Sequence, residues 1–146
     1  MYDTKAELLE KIRLGEDSAF EMKAVHFRGT KIAGPGRDDL ADEIAAFANS
    51  HTGVLLLGVE DKTRRIEGIP VDLLDAVEGL VREILHDSIE PPAHAIILRL
   101  ELPDSNGSPR AVLKVEVPNS VFVHKSPGGY YMRAGSSKRP MSPDIL

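Results

Sequence analysis

Three segments of the chain carry apolar residues at helical spacing, and several others alternate or run apolar as strands do. Leu8, Leu9 and Ile12 form a stripe over residues 4–14, with Asp3 or Thr4 placed to cap the helix and Gly15 to stop it. SAFEMKAVHF alternates, with Phe20, Met22 and Ala24 on one face and Glu21, Lys23 and Val25 on the other, which predicts a strand. RGTKIAGPGR, holding three glycines and a proline, reads as a flexible connection. From Asp38 onward Leu40, Ile44, Phe47 and Ala48 return to helical spacing, with acids in the first turn where the helix dipole favours them. GVLLLGV is the continuous apolar run of a central strand covered on both faces.

EDKTRR reads as a hairpin turn leading into a short strand, RIEGI, and Pro70 opens a third helix with Leu74, Val77, Leu80, Val81, Ile84 and Leu85 as its buried stripe. Three β segments follow: AHAIILRLEL, RAVLKVEV and YYMRA, with PDSNGSP as the turn between the first two. Helices interleaved with strands, then strands collected at the end, predict an α/β (α+β) sandwich: one domain over residues 1–140, with helices packed on one curved, mixed sheet. Residues 141–146 are expected to be a tail or the start of a following segment.

Composition narrows the function classes. No stretch approaches the roughly 20 apolar residues that cross a bilayer, and the N-terminal residues show no apolar signal-peptide core, so no membrane partner and a cytoplasmic location are expected. The absence of cysteine excludes disulfides, thiolate zinc sites and cysteine nucleophiles. A net charge of −5 argues against indiscriminate nucleic-acid binding. The charge is uneven, however. From Val121 onward there are four basic residues against one acid, whereas the preceding residues hold 14 basic and 22 acidic groups.

Two constellations carry candidate chemistry. Glu16 lies five residues before Glu21, which shares a strand face with Lys23, and Glu60 and Asp61 leave the apolar strand. If the two strands pair, these carboxylates converge at one sheet edge, where Mg²⁺ or Mn²⁺ finds oxygen ligands and Lys23 neutralises charge. Against this stands an ordinary reading: a turn at Glu16, a surface pair at Glu21 and Lys23, and a plain hairpin after Val59. The second constellation is VFVHKSPGGYYMRAGSSKR. There Tyr130 can stack on bases, Lys125, Arg133, Lys138 and Arg139 can meet phosphates, and His124 and Ser136 can add hydrogen bonds. Plain alternation of an edge strand also accounts for the two tyrosines. No Walker-type loop occurs: in GTKIAGP a proline stands where the phosphate-binding lysine belongs.

EDSAFEMK, IAAFANSHTGVLLLGVED, IEGI, IEPP, VLKVEVPNS and YYMRAGS follow one another in an order that resembles the Schlafen-type, Alba-like DNA-binding domain family, also labelled a divergent AAA, ATP-binding region. The likeness spans roughly residues 8–137. It implies an Alba-like α/β sandwich and a role with DNA or RNA, as a transcriptional-regulator or defence module. Some Schlafen proteins are metal-dependent RNA endonucleases, and the resemblance places Glu16, Glu21 and Glu60 at the positions of their acidic triad, with Asp61 beside the third. Four departures stand out: Thr52-Gly53 for Gly-Gly, Met22 for an aromatic, Val123-His124 for Pro-His, and Glu60 for an aspartate. The leading expectation is a nucleic-acid-binding domain. The alternative is a Mg²⁺- or Mn²⁺-dependent ribonuclease, and a nucleotide-binding ATPase module is disfavoured by the missing lysine. A homodimer is expected, because isolated α/β domains with exposed sheet edges often self-associate.

Overall fold

The computed structural model describes residues 1–141; the expected tail therefore lies, beyond Met141, outside the described residues. In chain order the elements are α1 (Lys5–Leu14), β1 (Phe20–Lys23), β2 (His26–Arg28), β3 (Lys31–Gly34), α2 (Arg37–Ser50), β4 (Gly53–Leu57), α3 (Leu74–Glu83), β5 (Ile96–Pro103), β6 (Pro109–Val117), β7 (Lys125–Ser126), β8 (Gly129–Ala134) and β9 (Ser137–Pro140). Thr4 caps α1 through its hydroxyl, which accepts the Glu7 N–H, while the Glu7 carboxylate accepts the Thr4 N–H. Gly15 ends the helix at φ 93°, a conformation that side chains resist.

The main sheet has the order β1-β4-β6-β5, with β1 parallel to β4 and the other pairs antiparallel. β4 is buried along its whole length, and period-2 alternation sends its residues into two cores. Val54 and Leu56 join Phe20, Met22, Val112 and Leu102 beneath Leu8 and Ile12 of α1. Leu55 and Leu57 join Leu113, Val115 and Val117 beneath α2 and α3, where Ile44, Phe47, Val77 and Val81 sit. This double burial is why the segment reads as unbroken apolar sequence. Truncating one such residue, Leu55→Ala, removes packing worth about 2–5 kcal/mol.

Helices cover both faces of the sheet, as a mixed sheet covered by helices requires. The structure departs from the sequence expectations at several points. RGTKIAGPGR is not an open connection but contributes to the β2–β3 hairpin, which turns at Gly29 with φ 65°. RIEGI forms no strand and makes only an isolated bridge, Val59 with Ile66. The third helix begins as a 3₁₀ turn, Val71–Leu73, and ends in a π-helical turn, Ile84–Ser88. The YYMRA strand is flanked by β7 and β9 in a separate three-stranded sheet that packs on α2.

Candidate nucleic-acid interface

Helix α2 determines how the C-terminal sheet is held. Asp42 and Glu43 lie one turn after Asp39, and Asn49 and Ser50 lie two turns further on, so the five share one stripe of the helix. Asp42 accepts hydrogen bonds from the Ser126 hydroxyl at 2.6 Å and the Gly128 N–H at 3.0 Å. The Asn49 amide donates to the carbonyls of His124 and Tyr131, each at 2.9 Å, and its oxygen accepts the His124 N–H at 2.7 Å. The Ser50 hydroxyl oxygen accepts the Arg133 N–H at 2.7 Å. These acceptors and donors use the backbone groups that a small sheet would otherwise leave unpaired.

Between this stripe and β1 lies a buried ionic network. Arg133, only 4% exposed, donates from Nη1 to Glu21 at 2.9 Å and Glu43 at 3.0 Å, and from Nη2 to the Asp17 carbonyl at 2.6 Å. Its guanidinium also lies 4.7 Å from the Phe47 ring centroid. That ring needs Gly53: a Cβ there would meet Phe47 at 2.1 Å. Lys138 bonds Asp39 at 2.7 Å and Glu43 at 3.0 Å, and Lys23 reaches Asp39 at 3.0 Å and Glu21 at 3.8 Å. Burial, reinforced by the Glu43 charge and a hydrogen bond with Glu16, pushes the Glu21 carboxyl up to about 8 against the opposing pull of Arg133. Burial also tends to raise Asp39, but its bonds with Lys138 and Lys23 prevail and hold it below the usual carboxylate range. For Lys23 and Lys138, burial acts downward and the carboxylate partners outweigh it, so both ammonium groups are raised.

The expected gathering of Glu16, Glu21, Glu60 and Asp61 around an ion is not found. Among the described residues no group of three or more His, Asp or Glu side chains is placed to hold a metal. Strands β1 and β4 do pair, and Glu16 does meet Glu21, but Glu16, Glu21 and Glu60 already have work in the fold. Glu16 accepts the Met22 N–H at 2.8 Å, which caps the edge of β1. Glu60 turns back on its own hairpin, accepting the Thr63 N–H at 2.7 Å and the Thr63 hydroxyl at 3.0 Å. The Thr63 N–H bond is the main cause that holds its carboxyl below the usual range. Glu60 and Asp61 line a depression of about 220 Å³ with Lys23, a wall to which Glu16 and Glu21 do not contribute. Lys23 is tied up by Asp39. The donor set therefore does not fit Mg²⁺ or Mn²⁺ in this arrangement. A nucleotide phosphate fares no better at the start of α2, where Asp38 and Asp39 occupy the first turn.

Strand register divides the second constellation in two. Opposite residues of an antiparallel pair share a face. Arg133 faces Lys138 and Ser126 faces Gly129 on the inner side, against α2. His124 is buried as well, its Nδ1–H donating to the Pro91 carbonyl at 2.6 Å. His124, Arg133 and Lys138, expected to meet nucleic acid, are thus bonded inward, to Pro91, to Glu21 and Glu43, and to Asp39 and Glu43. The outer side carries the rest. Lys125 stands opposite Tyr130, and Arg139 opposite Met132, with Ser136 exposed in the β8–β9 turn. Lys125 and Arg139 are exposed and have no carboxylate within ion-pairing distance among the described residues. Strand spacing and rise place the Cα atoms of Lys125 and Arg139 roughly 12 Å apart, with the strand that carries Tyr130 between them. Asp42, Glu43, Asn49 and Ser50 escaped the sequence reading, although their polar stripe inside an otherwise apolar helix was the available signal.

The geometry defines a small α/β domain whose central helix clamps an outward-facing, cation-flanked β-sheet. A family model described as Schlafen, AlbA_2 matches residues 16–142, and the chain belongs to that family. Among solved structures it is similar to the DIP2311 protein from Corynebacterium diphtheriae, with a TM-score of 0.59 and 27% identity over 86% of this chain. The chain spans only 26% of that protein. No curated protein matches. Among the described residues no helix is long and apolar enough to cross a membrane.

Proposed function

We propose that this chain is a nucleic-acid-binding domain that receives an unstacked, single-stranded segment on the outer face of its C-terminal sheet. The observation that carries this reading is the exposed Tyr130, flanked by Lys125 and Arg139, neither of which forms an ion pair among the described residues, although Glu90 stands opposite Lys125 across an isolated bridge. An aromatic ring between two cations suits a base stacked between two phosphates, and it needs no particular sequence. Family membership supports a nucleic-acid-related role without specifying the polymer. The inner cations contribute to the shape of this surface and not to its charge, because they are consumed by Asp39, Glu43 and Glu21.

Fluorescence anisotropy with labelled single-stranded DNA and RNA tests the reading. Tyr130→Ala is expected to weaken binding by about 1–3 kcal/mol while leaving the circular dichroism spectrum unchanged. Equal affinity of wild type and Tyr130→Ala would remove the proposal. The ribonuclease reading is favoured by one feature, the approach of the Glu16 and Glu21 carboxyls to each other. It requires Arg133 to release Glu21 and Glu60 to leave Thr63. Labelled tRNA incubated with Mn²⁺ is accordingly expected to stay intact, and cleavage that Glu21→Ala abolishes would favour the enzyme instead.

A further inference from the structure

β5 is the outermost strand of the main sheet, so one side of its backbone has no strand partner among the described residues. Edges of this kind are normally short, bulged, charged or covered. β1, the opposite edge, obeys that rule: it has four residues, and the Glu16 carboxylate occupies its Met22 N–H. β5 does not. It runs for eight residues, pairs with β6 in unbroken register, and meets a proline only at its end. On the side facing α1, Leu102 is buried, but Leu98 is 41% and Ile96 57% exposed.

The charges on the other side of β5 indicate an occupant. Arg99 donates from Nε to Glu78 at 3.0 Å and from Nη2 to Asp75 at 2.6 Å, leaving Nη1 without a partner among the described residues. Glu78 also holds Arg82 of the same helix. Glu101, on the same face as Arg99, is exposed and has no cation within ion-pairing distance among the described residues. A two-fold axis perpendicular to the sheet would pair β5 with itself antiparallel and keep like faces together. Centred on Arg99 or on Glu101, that pairing sets identical charges against each other. Centred on Leu100, it places Arg99 opposite Glu101 of the second copy, twice, with Leu98 opposite Leu102 and Leu100 opposite itself. No other centre between Ile97 and Leu102 makes both charge pairs.

We propose that β5 joins two copies of this chain edge to edge, in the register centred on Leu100, giving one continuous eight-stranded sheet. The pairing is independent of nucleic-acid binding and uses none of its residues.

Sedimentation over a concentration series reaching about 1 mM tests it with the 146-residue chain. Wild type is expected to show a reversible monomer–dimer equilibrium. Glu101→Arg puts like charges across the edge and is expected to weaken dimerisation at least about tenfold. Leu98→Lys, on the opposite side of the strand, should do the same without touching the α3 contacts. Arg99→Glu alone should be weakened to a similar degree, yet mixing it with Glu101→Arg restores both charge pairs and is expected to yield a heterodimer. Monomeric wild type throughout the series overturns the proposal. So does a dimer that persists in both Glu101→Arg and Leu98→Lys, or a mixture of folded charge variants that stays monomeric.

Discussion

Arg133 shows how one side chain can be indispensable to a surface it never reaches. Its guanidinium joins Glu21 of β1, Glu43 of α2 and the Asp17 carbonyl, so three parts of the chain meet on it. Removing one member of such a buried set leaves uncompensated charge. Arg133→Met is therefore expected to cost about 3–5 kcal/mol in urea denaturation, whereas Arg139→Met, on the exposed outer face, should stay within about 0.5 kcal/mol. Equal effects of the two substitutions would contradict the division into inner and outer faces. Glu21 adds a pH signature. Its carboxyl is raised from 4.5 to about 8, so across that window the folded chain keeps a proton that the unfolded chain has lost. Folding then binds protons, and this contribution to stability falls as pH rises from about 4.5 to about 8 and levels off above it. The stability difference between wild type and Glu21→Gln should follow that course; a difference that stays flat across the window would contradict it.

At the scale of elements, the C-terminal sheet depends on α2 more than on its own short strands. Asp42 is the anchor for β7 and the turn after it, through Ser126 and Gly128. Asp42→Ala is expected to lower amide protection across residues 125–134 by hydrogen exchange while β4 and β6 keep theirs. Uniform loss over the whole chain would mean that the sheet is not a separable layer. This layer was also the least legible part of the sequence. β4 announced itself because burial on both faces demands apolar residues throughout, and α2 because its apolar stripe has the helical period. β7 has two residues and β9 reads SKRP, so neither has room for a pattern. The candidate site was legible as a list of residue types but not as a surface. Arg133 and Arg139 look alike in sequence, and only the pairing of β8 with β9 puts them on opposite faces. Glu60 was misplaced for a related reason: a carboxylate three residues before Thr63 closes its own turn before it can serve a neighbour.

For the whole molecule, the balance of charge sets what it can bind. A body with net charge −5 gains nothing from a polyanion except where cations are left free, and the fold leaves Lys125 and Arg139 free beside Tyr130. Of the acids expected to recruit an ion, Glu21 is paired with Arg133, Glu16 is held by the Met22 N–H and Glu60 by Thr63. Mn²⁺ is accordingly expected to leave the melting temperature unchanged, whereas an ion at a hundred times its Kd would stabilise the fold by about 2.7 kcal/mol. A rise that Glu21→Gln abolishes would contradict that expectation. The most direct test of the account is the salt dependence of single-strand affinity in wild type and in the Lys125→Ala/Arg139→Ala double variant. Loss of two phosphate contacts predicts a log Kd against log salt slope about 1.4 units shallower, with weaker binding at low salt. Unchanged slope and affinity would mean that the outer face of the C-terminal sheet does not meet the nucleic acid.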